Sequence, residues 1–248
     1  MLGKWLEFSV QSEDLLDSLR FYRALGFREL STGDVWSHGY AVVSDGDLCI
    51  GLHNLDFDSP ALTFVQPNLG KRARSMQRHG YEFTEMRLDE DVFNELQFKS
   101  LNGHTISMIE ARTFSLPPEA TENSLCGTFF ELTLPAEDVV QSARFWAPLA
   151  PHVTDFREEP TTHLRFDAEG VPLGLSESIA LSGPALCFKC HDRKALEAAI
   201  EQHGLRKQKF PGFEGAFAVL AAPEGTRLYL FDEDFLGESY EVSEEPAS

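Results

Sequence analysis

The sequence predicts an α+β fold built from four βαβββ units arranged in two pairs. Two observations carry that expectation. Residues 7–22, EFSVQSEDLLDSLRFY, recur as residues 131–146, ELTLPAEDVVQSARFW, 124 residues later, and 124 is half of the 248-residue chain. Within each half, an alternating strand pattern leads into a helix and then into three strand-like segments, and this succession occurs twice. A duplicated chain of this length has room for two ordinary cores.

The elements follow in order. In the first unit Leu6, Phe8 and Val10 are expected on one strand face, with Glu7 and Ser9 on the other. Ser12-Glu13-Asp14 offers an N-cap and first-turn carboxylates that suit the positive end of a helix dipole. Leu15, Leu19 and Tyr22 then form an apolar stripe, and Gly26 stops the helix. Asp14 and Asp138 are thereby explained as capping residues. Strands are expected around 28–32, 38–44 and 47–53, with Asp45-Gly46 as a hairpin turn. The second unit has a strand at 61–68, a helix over 69–79 ending at His79-Gly80, and strands around 81–87, 93–99 and 104–110. The second half repeats this plan. Its last unit opens on ALCFKCHD, continues in the helix DRKALEAAIEQHG ending at His203-Gly204, and has Glu224-Gly225 where the first half has Asn102-Gly103. His79 and His203 are expected to cap helix C-termini. The Pro-Pro segment 113–126 reads as a linker between domains at 1–112 and 127–234, and 235–248 as an acidic, disordered tail.

Composition narrows the function classes. The chain carries a net charge of -19, with 40 acidic residues against 21 Lys and Arg, which argues against nucleic acid or anionic lipid as a partner. No apolar run approaches the ~20 residues of a membrane span, and the start MLGKWLEFSV lacks a signal-peptide core, so a cytoplasmic location is expected. The four cysteines do not form a disulfide framework. Cys187 and Cys190 form a CxxC within a strand, where positions three apart face opposite ways. There is no Gly-rich phosphate loop, no GxSxG and no HExxH, so nucleophilic catalysis has no candidate.

The motifs DLLDSLRFYRALGF at 14–27 and DVVQSARFWAPLAP at 138–151, with LNGHTISMIE and PEGTRLYLFD near the ends of the two halves, resemble the vicinal oxygen chelate superfamily. Its members include glyoxalase I, bleomycin-resistance proteins and extradiol dioxygenases. The resemblance covers nearly the whole chain and implies two glyoxalase-like domains with curled mixed sheets, each enclosing a cup. It also implies four inward ligand positions for a divalent metal. By motif these fall on Glu7, Gly51, Ala61 and Ser107 in the first half and on Glu131, Gly174, Ala185 and Tyr229 in the second. Neither set supplies the three or four N/O ligands a stable site needs, so no metal cofactor is expected. An offset set of Glu7, His53 and Glu95 is the alternative, holding one divalent ion in the first cup.

Strand alternation then lists what else faces the cups. The first has Glu7, Ser9, Ala41, Cys49, Gly51, His53, Thr63, Glu95, Gln97, Thr105 and Ser107. The second has Glu131, Thr133, His163, Arg165, Gly174, Ser176, Cys187, Lys189, Val219, Arg227 and Tyr229. Glu7 and Glu131 are the polar inward pair kept identical, and a half-buried carboxylate can serve as a general base or a ligand contact. His53, His163, Arg165, Lys189, Arg227 and Tyr229 are candidate ligand-binding residues. The cations of the second cup suggest an anionic small molecule, or else structural ion pairs with Glu131. Trp146 at the place of Tyr22 is expected in the core. Three functions stay open: metal-independent binding of a small organic molecule, as in the resistance proteins; a divalent-metal lyase or dioxygenase; and a non-catalytic scaffold. With both pairs of units in one chain, a monomer or a homodimer is expected.

Overall fold

The computed structural model describes residues 2–32, 37–89, 94–111, 124–149, 152–208 and 215–234. The expected linker lies outside the described residues except for Ser124, Leu125 and Cys126, and the acidic tail lies outside them entirely. The first half runs β1 (Lys4–Gln11), α1 (Leu15–Ala24), β2 (Arg28–Leu30), β3 (Gly39–Ser44), β4 (Cys49–Asn54), β5 (Ala61–Gln66), α2 (Leu69–Arg78), β6 (Glu85–Arg87), β7 (Glu95–Lys99) and β8 (Thr105–Glu110). The second runs β9 (Thr128–Pro135), α3 (Val139–Trp146), β10 (His152–Arg157), β11 (His163–Asp167), β12 (Pro172–Ser176), β13 (Ala185–Cys190), α4 (Arg193–Gln202), β14 (Ala216–Ala221) and β15 (Arg227–Asp232). No described helix is long and apolar enough to cross a membrane.

Each half is one mixed sheet in which two units meet along their first strands. The first sheet has eight strands in the order β2-β3-β4-β1-β5-β8-β7-β6, and the second has seven in the order β10-β11-β12-β9-β13-β15-β14. The fourth unit is expected to have three strands after its helix. Among the described residues two follow α4, and a single bridge from Lys207 to Leu220 stands where another would pair.

Local chemistry explains the helices. Asp14 accepts from the Asp17 N–H at 3.1 Å and Asp138 from the Gln141 N–H at 2.8 Å, as their N-cap role requires. Gly26 follows α1 at φ +83°. His79 is the C-cap of α2, and its Nδ1 lies 2.9 Å from the Ser75 carbonyl; His203 is the C-cap of α4. Cys187 and Cys190 do face opposite ways, the first among the buried residues of the second cup and the second in the main core.

One face of each sheet carries helices, and the buried residues between them form a single hydrophobic core drawn from both halves. Tyr22, Phe27, Phe98, Phe129, Trp146, Phe166 and Phe188 belong to it, with Phe27 and Phe188 bringing the halves together at 6.0 Å between ring centroids. The repeated Ser-x-x-Phe motif finds its meaning here. Ser18 of α1 donates to Glu224 at 2.6 Å, and its counterpart Ser142 of α3 donates to Asn102 at 2.6 Å. Glu224 and Asn102 occupy matching hairpin turns, so the first helix of each half is tied to the last turn of the other. Tyr22 adds its hydroxyl to Glu224 at 2.6 Å, and Tyr81 donates across the halves to the Phe145 carbonyl at 2.6 Å.

Candidate functional site

The opposite faces of the two sheets form the cups, and each is organised around the duplicated glutamate. Strand β1 does not keep simple alternation. Its pairing with β5 shifts register between Trp5 and Glu7, a bulge that bends the strand and re-aims its side chains. As a result Trp5, not Leu6, joins the core, edge-on to Phe64 at 5.3 Å. The same irregularity recurs in β9, between Phe129 and Glu131. Phe129 goes to the core and Phe130 to the cup, where it meets Phe231 at 5.4 Å.

Glu7 is 2 % exposed and its carboxylate is fully engaged. Oε1 accepts from Ser9 Oγ at 2.9 Å and lies 2.9 Å from His53 Nε2, while Oε2 accepts from Tyr40 Oη at 2.6 Å. His53 Nδ1 lies 3.0 Å from His38 Nε2. His53 thus bonds to the Glu7 carboxylate through one ring nitrogen and to the His38 imidazole through the other. The result is a chain Glu7–His53–His38 running from a buried carboxylate to the wall of the cup. Burial first, and the neighbouring His53 second, hold the His38 imidazole below the usual histidine range, so it is neutral near pH 7. Tyr40 stacks on His53 at 4.6 Å between centroids, which fixes the ring plane.

The glycine opposite this carboxylate is part of the same arrangement. A Cβ on Gly51 would lie 2.1 Å from Glu7 Oε1, and one on Gly174 would lie 2.2 Å from Glu131 Oε1. In both halves the glutamate lies across the strand at the place where a side chain from that strand would point.

The second half repeats the pattern with different partners. Glu131 accepts from Thr133 and lies 3.1 Å from His163 Nε2, with Arg165 Nε at 3.8 Å. The strand registers pair Tyr40 with His53 and His163 with Ser176, so His163 stands at the place of Tyr40 and Ser176 at that of His53. Arg165 donates to the Phe130 carbonyl, and Arg227 donates to Ser182. Lys189 is half-buried on the cup-facing side of β13. Leu181, Cys187, Val219, Tyr229 and Phe231 pack together on this face as a separate apolar cluster. Burial pushes the Tyr229 phenol and the Cys187 thiol above their ordinary values.

The first cup is open. A cavity of about 560 Å³ is lined by Ser9, His38, His53, Ala61, Thr63, Gln97 and Ser107 on its floor, with Leu55, Asp56, Phe57, Asp58, Thr84, Glu85, Arg87, Glu95 and Ile109 around it. Arg87 is engaged by Glu85 and approaches Glu95, and Lys99 pairs with Asp58. Four carboxylates thus stand at the rim, where a cation or a neutral molecule is received more readily than an anion.

Two placements correct the expected inward faces. Ala41 pairs with Leu52 and lies in the core, whereas Tyr40 pairs with His53 and points into the cup. Tyr40 and His38, which complete the bonds around Glu7 and His53, were not among the expected site residues, nor were the wall residues Leu55, Phe57 and Ile109. Comparison of the halves holds the signal for the first, because His163 lies 123 residues after it, at the same offset as Gly174 from Gly51. His38 has no such counterpart, since the matching position is Thr161.

The donor set does not fit the divalent metal of the resembled superfamily. Gly51 and Ala61 offer no ligand atom, Ser107 lies 3.3 Å from Glu95, and Glu7 already holds three partners. The offset set fares no better. Both nitrogens of His53 are committed, and Glu95 faces Gln97, Ser107 and Arg87. Among the described residues no three His, Cys, Asp or Glu converge on a common point.

No family model and no curated protein matches the sequence. The structure, by contrast, is similar to solved dioxygenases. The 2,3-dioxygenase LapB from Pseudomonas sp. KL28 superposes with a TM-score of 0.60 at 14 % identity, covering 94 % of this chain and 93 % of that one. A catechol 2,3-dioxygenase gives 0.59 at 14 % identity over 92 % and 86 % of the two chains. The 2,2',3-trihydroxybiphenyl 1,2-dioxygenase from Sphingomonas wittichii strain RW1 gives 0.56 at 13 % identity over 94 % and 91 %. The chain therefore has the vicinal oxygen chelate fold of the extradiol dioxygenases over nearly its whole length.

Proposed function

We propose that this protein binds a small organic molecule in its first cup and does so without the metal its fold commonly carries. The observation that carries this reading is the open cavity of about 560 Å³, floored by hydroxyl, amide and imidazole groups and abutting the chain Glu7–His53–His38. Few polar groups at fixed positions in a concave, partly apolar pocket are what small-molecule sites use for orientation. Glu7 acts here as a positioning residue. It fixes the orientation of His53, which in turn presents His38 at the cavity wall. Phe57, Leu55 and Ile109 supply apolar contact. The acidic rim favours a neutral or cationic occupant with hydroxyl or amine groups over the anionic one suggested by the basic residues of the second cup. In that second cup we assign Glu131, His163, Arg165, Arg227 and Tyr229 to holding the sheet together, since they bond mainly to each other and to backbone or Ser182.

The test is a thermal-shift screen with neutral polyols, aminoalcohols, catechols and dicarboxylates, followed by calorimetry on any hit. The expected result is a saturable hit from the neutral or cationic set whose affinity falls at least ten-fold in His38→Gln and is unchanged in Arg227→Gln. Binding restricted to dicarboxylates, and abolished by Arg227→Gln, would contradict it.

A further inference from the structure

The largest concentration of positive charge in this acidic chain is on α2. Its ten residues, LGKRARSMQR, hold Lys71, Arg72, Arg74 and Arg78 and no carboxylate. Leu69, Ala73 and Met76 bury the opposite face, so the basic residues project outward. Lys71, Ser75 and Arg78 share one side at i, i+4 and i+7. That side borders a depression of about 390 Å³ lined by Gln66, Asn68, Lys71, Arg72, Ser75 and Arg78. The depression lies away from the first cup. Gln66 falls on the helix-covered face of β5, with Leu62 and Phe64, whereas Ala61 and Thr63 face the cavity.

Three features make this a built site and not merely a charged helix. Arg72 Nε donates to Gln66 Oε1 at 3.1 Å, which fixes the plane of the guanidinium and turns its fork outward. Gln66 is only 4 % exposed, yet its Nε2 has no acceptor among the described residues. A buried amide donor left unmatched is costly, so the wall behind the Arg72 guanidinium is polar and unsatisfied. Finally, none of Lys71, Arg72 and Arg78 has a carboxylate within ion-pair distance among the described residues, although the whole chain carries a net charge of -19. The start of α2 adds to the same field. Asn68 caps it in the left-handed conformation without a side-chain bond, and the first turn holds no acid, so the positive end of the helix dipole is not offset there except where Glu110 reaches the Leu69 N–H at 3.3 Å.

We propose that this depression binds the phosphate group of a small phosphorylated molecule. Lys71, Arg72 and Arg78 line one depression, which suits a multiply charged oxyanion, and a guanidinium fork pairs with two of its oxygens at once. The net charge of the chain disfavours an extended polyanion, which would meet the acidic surface beyond the patch. The site is separate from the cup and stands or falls independently of it.

Isothermal titration with inorganic phosphate and with pyrophosphate at 0.15 M ionic strength tests the proposal on the full chain. The expected result is saturable binding of one equivalent of pyrophosphate, weakened at least ten-fold by Arg72→Gln and by the double variant Lys71→Gln/Arg78→Gln, and unaltered by His38→Gln. The double variant touches no buried group and so separates loss of the site from loss of the fold. Absence of saturable binding to either anion would overturn the proposal, as would binding that survives both variants. Saturable binding of an Asp/Glu peptide with none of pyrophosphate would overturn it in favour of a protein-docking surface.

Discussion

At the scale of single residues, the coupling of a glutamate to a facing glycine explains why both are repeated. Glu7 and Gly51 are one unit, as are Glu131 and Gly174, because each carboxylate occupies the space a Cβ would take. Gly51→Ala must displace a carboxylate that three partners hold in place. We expect it to cost about 1–3 kcal/mol of stability, the usual range for overpacking a filled site. In a double-mutant cycle with Glu7→Ala the two changes should be non-additive by about 1 kcal/mol or more, since the second removes the obstacle to the first. Additive effects from denaturant melts would show that the contact does not constrain the site. Much of this was legible from sequence: Glu7, Glu131 and His53 were expected to face the cups, and the poor metal ligand set was visible in Gly51 and Ala61. Tyr40 was not, because strict alternation assigned Ala41 to the cup, and a one-residue slip exchanges the faces.

At the scale of elements, helices and hairpins followed from capping residues and turn chemistry, whose causes are local. The bulge in β1 and β9 was illegible because it depends on pairing with β5 and β13, so Leu6 was expected on the face of Phe8 and Val10, where Trp5 lies. The role of Ser18 and Ser142 was hidden for a similar reason. Their partners are 206 and 40 residues away, in the turns of the opposite half. This contact predicts an asymmetry. Glu224 serves both Ser18 and the buried Tyr22, whose phenol is raised above its usual range by burial and by that carboxylate, whereas Asn102 receives Ser142. Glu224→Ala leaves a buried hydroxyl without its acceptor and should cost about 1–3 kcal/mol. Asn102→Ala should cost less. Thermal melts of the two variants check the order, and an equal or reversed order would mean that the Tyr22 contact contributes little.

At the scale of the whole molecule, one duplicated fold carries two cups with different contents. The second carries a buried apolar cluster of Leu181, Cys187, Val219, Tyr229 and Phe231, and the first a cavity of about 560 Å³. The fold is shared with dioxygenases such as LapB, yet the residues at the expected ligand positions either offer no ligand atom, as Gly51 and Ala61, or are bonded to protein neighbours. Glu7 is the decisive case, because the carboxylate that would bind an ion is bonded to Ser9, Tyr40 and His53. Equilibrium dialysis of the full chain against Fe(II), Mn(II), Ni(II) and Zn(II), read by elemental analysis, tests this most directly. Less than about 0.1 equivalent of each should be retained at ~10 μM free metal, a concentration at which a three-ligand protein site would be filled. Retention of one equivalent that is lost in both Glu7→Gln and His53→Gln would contradict it.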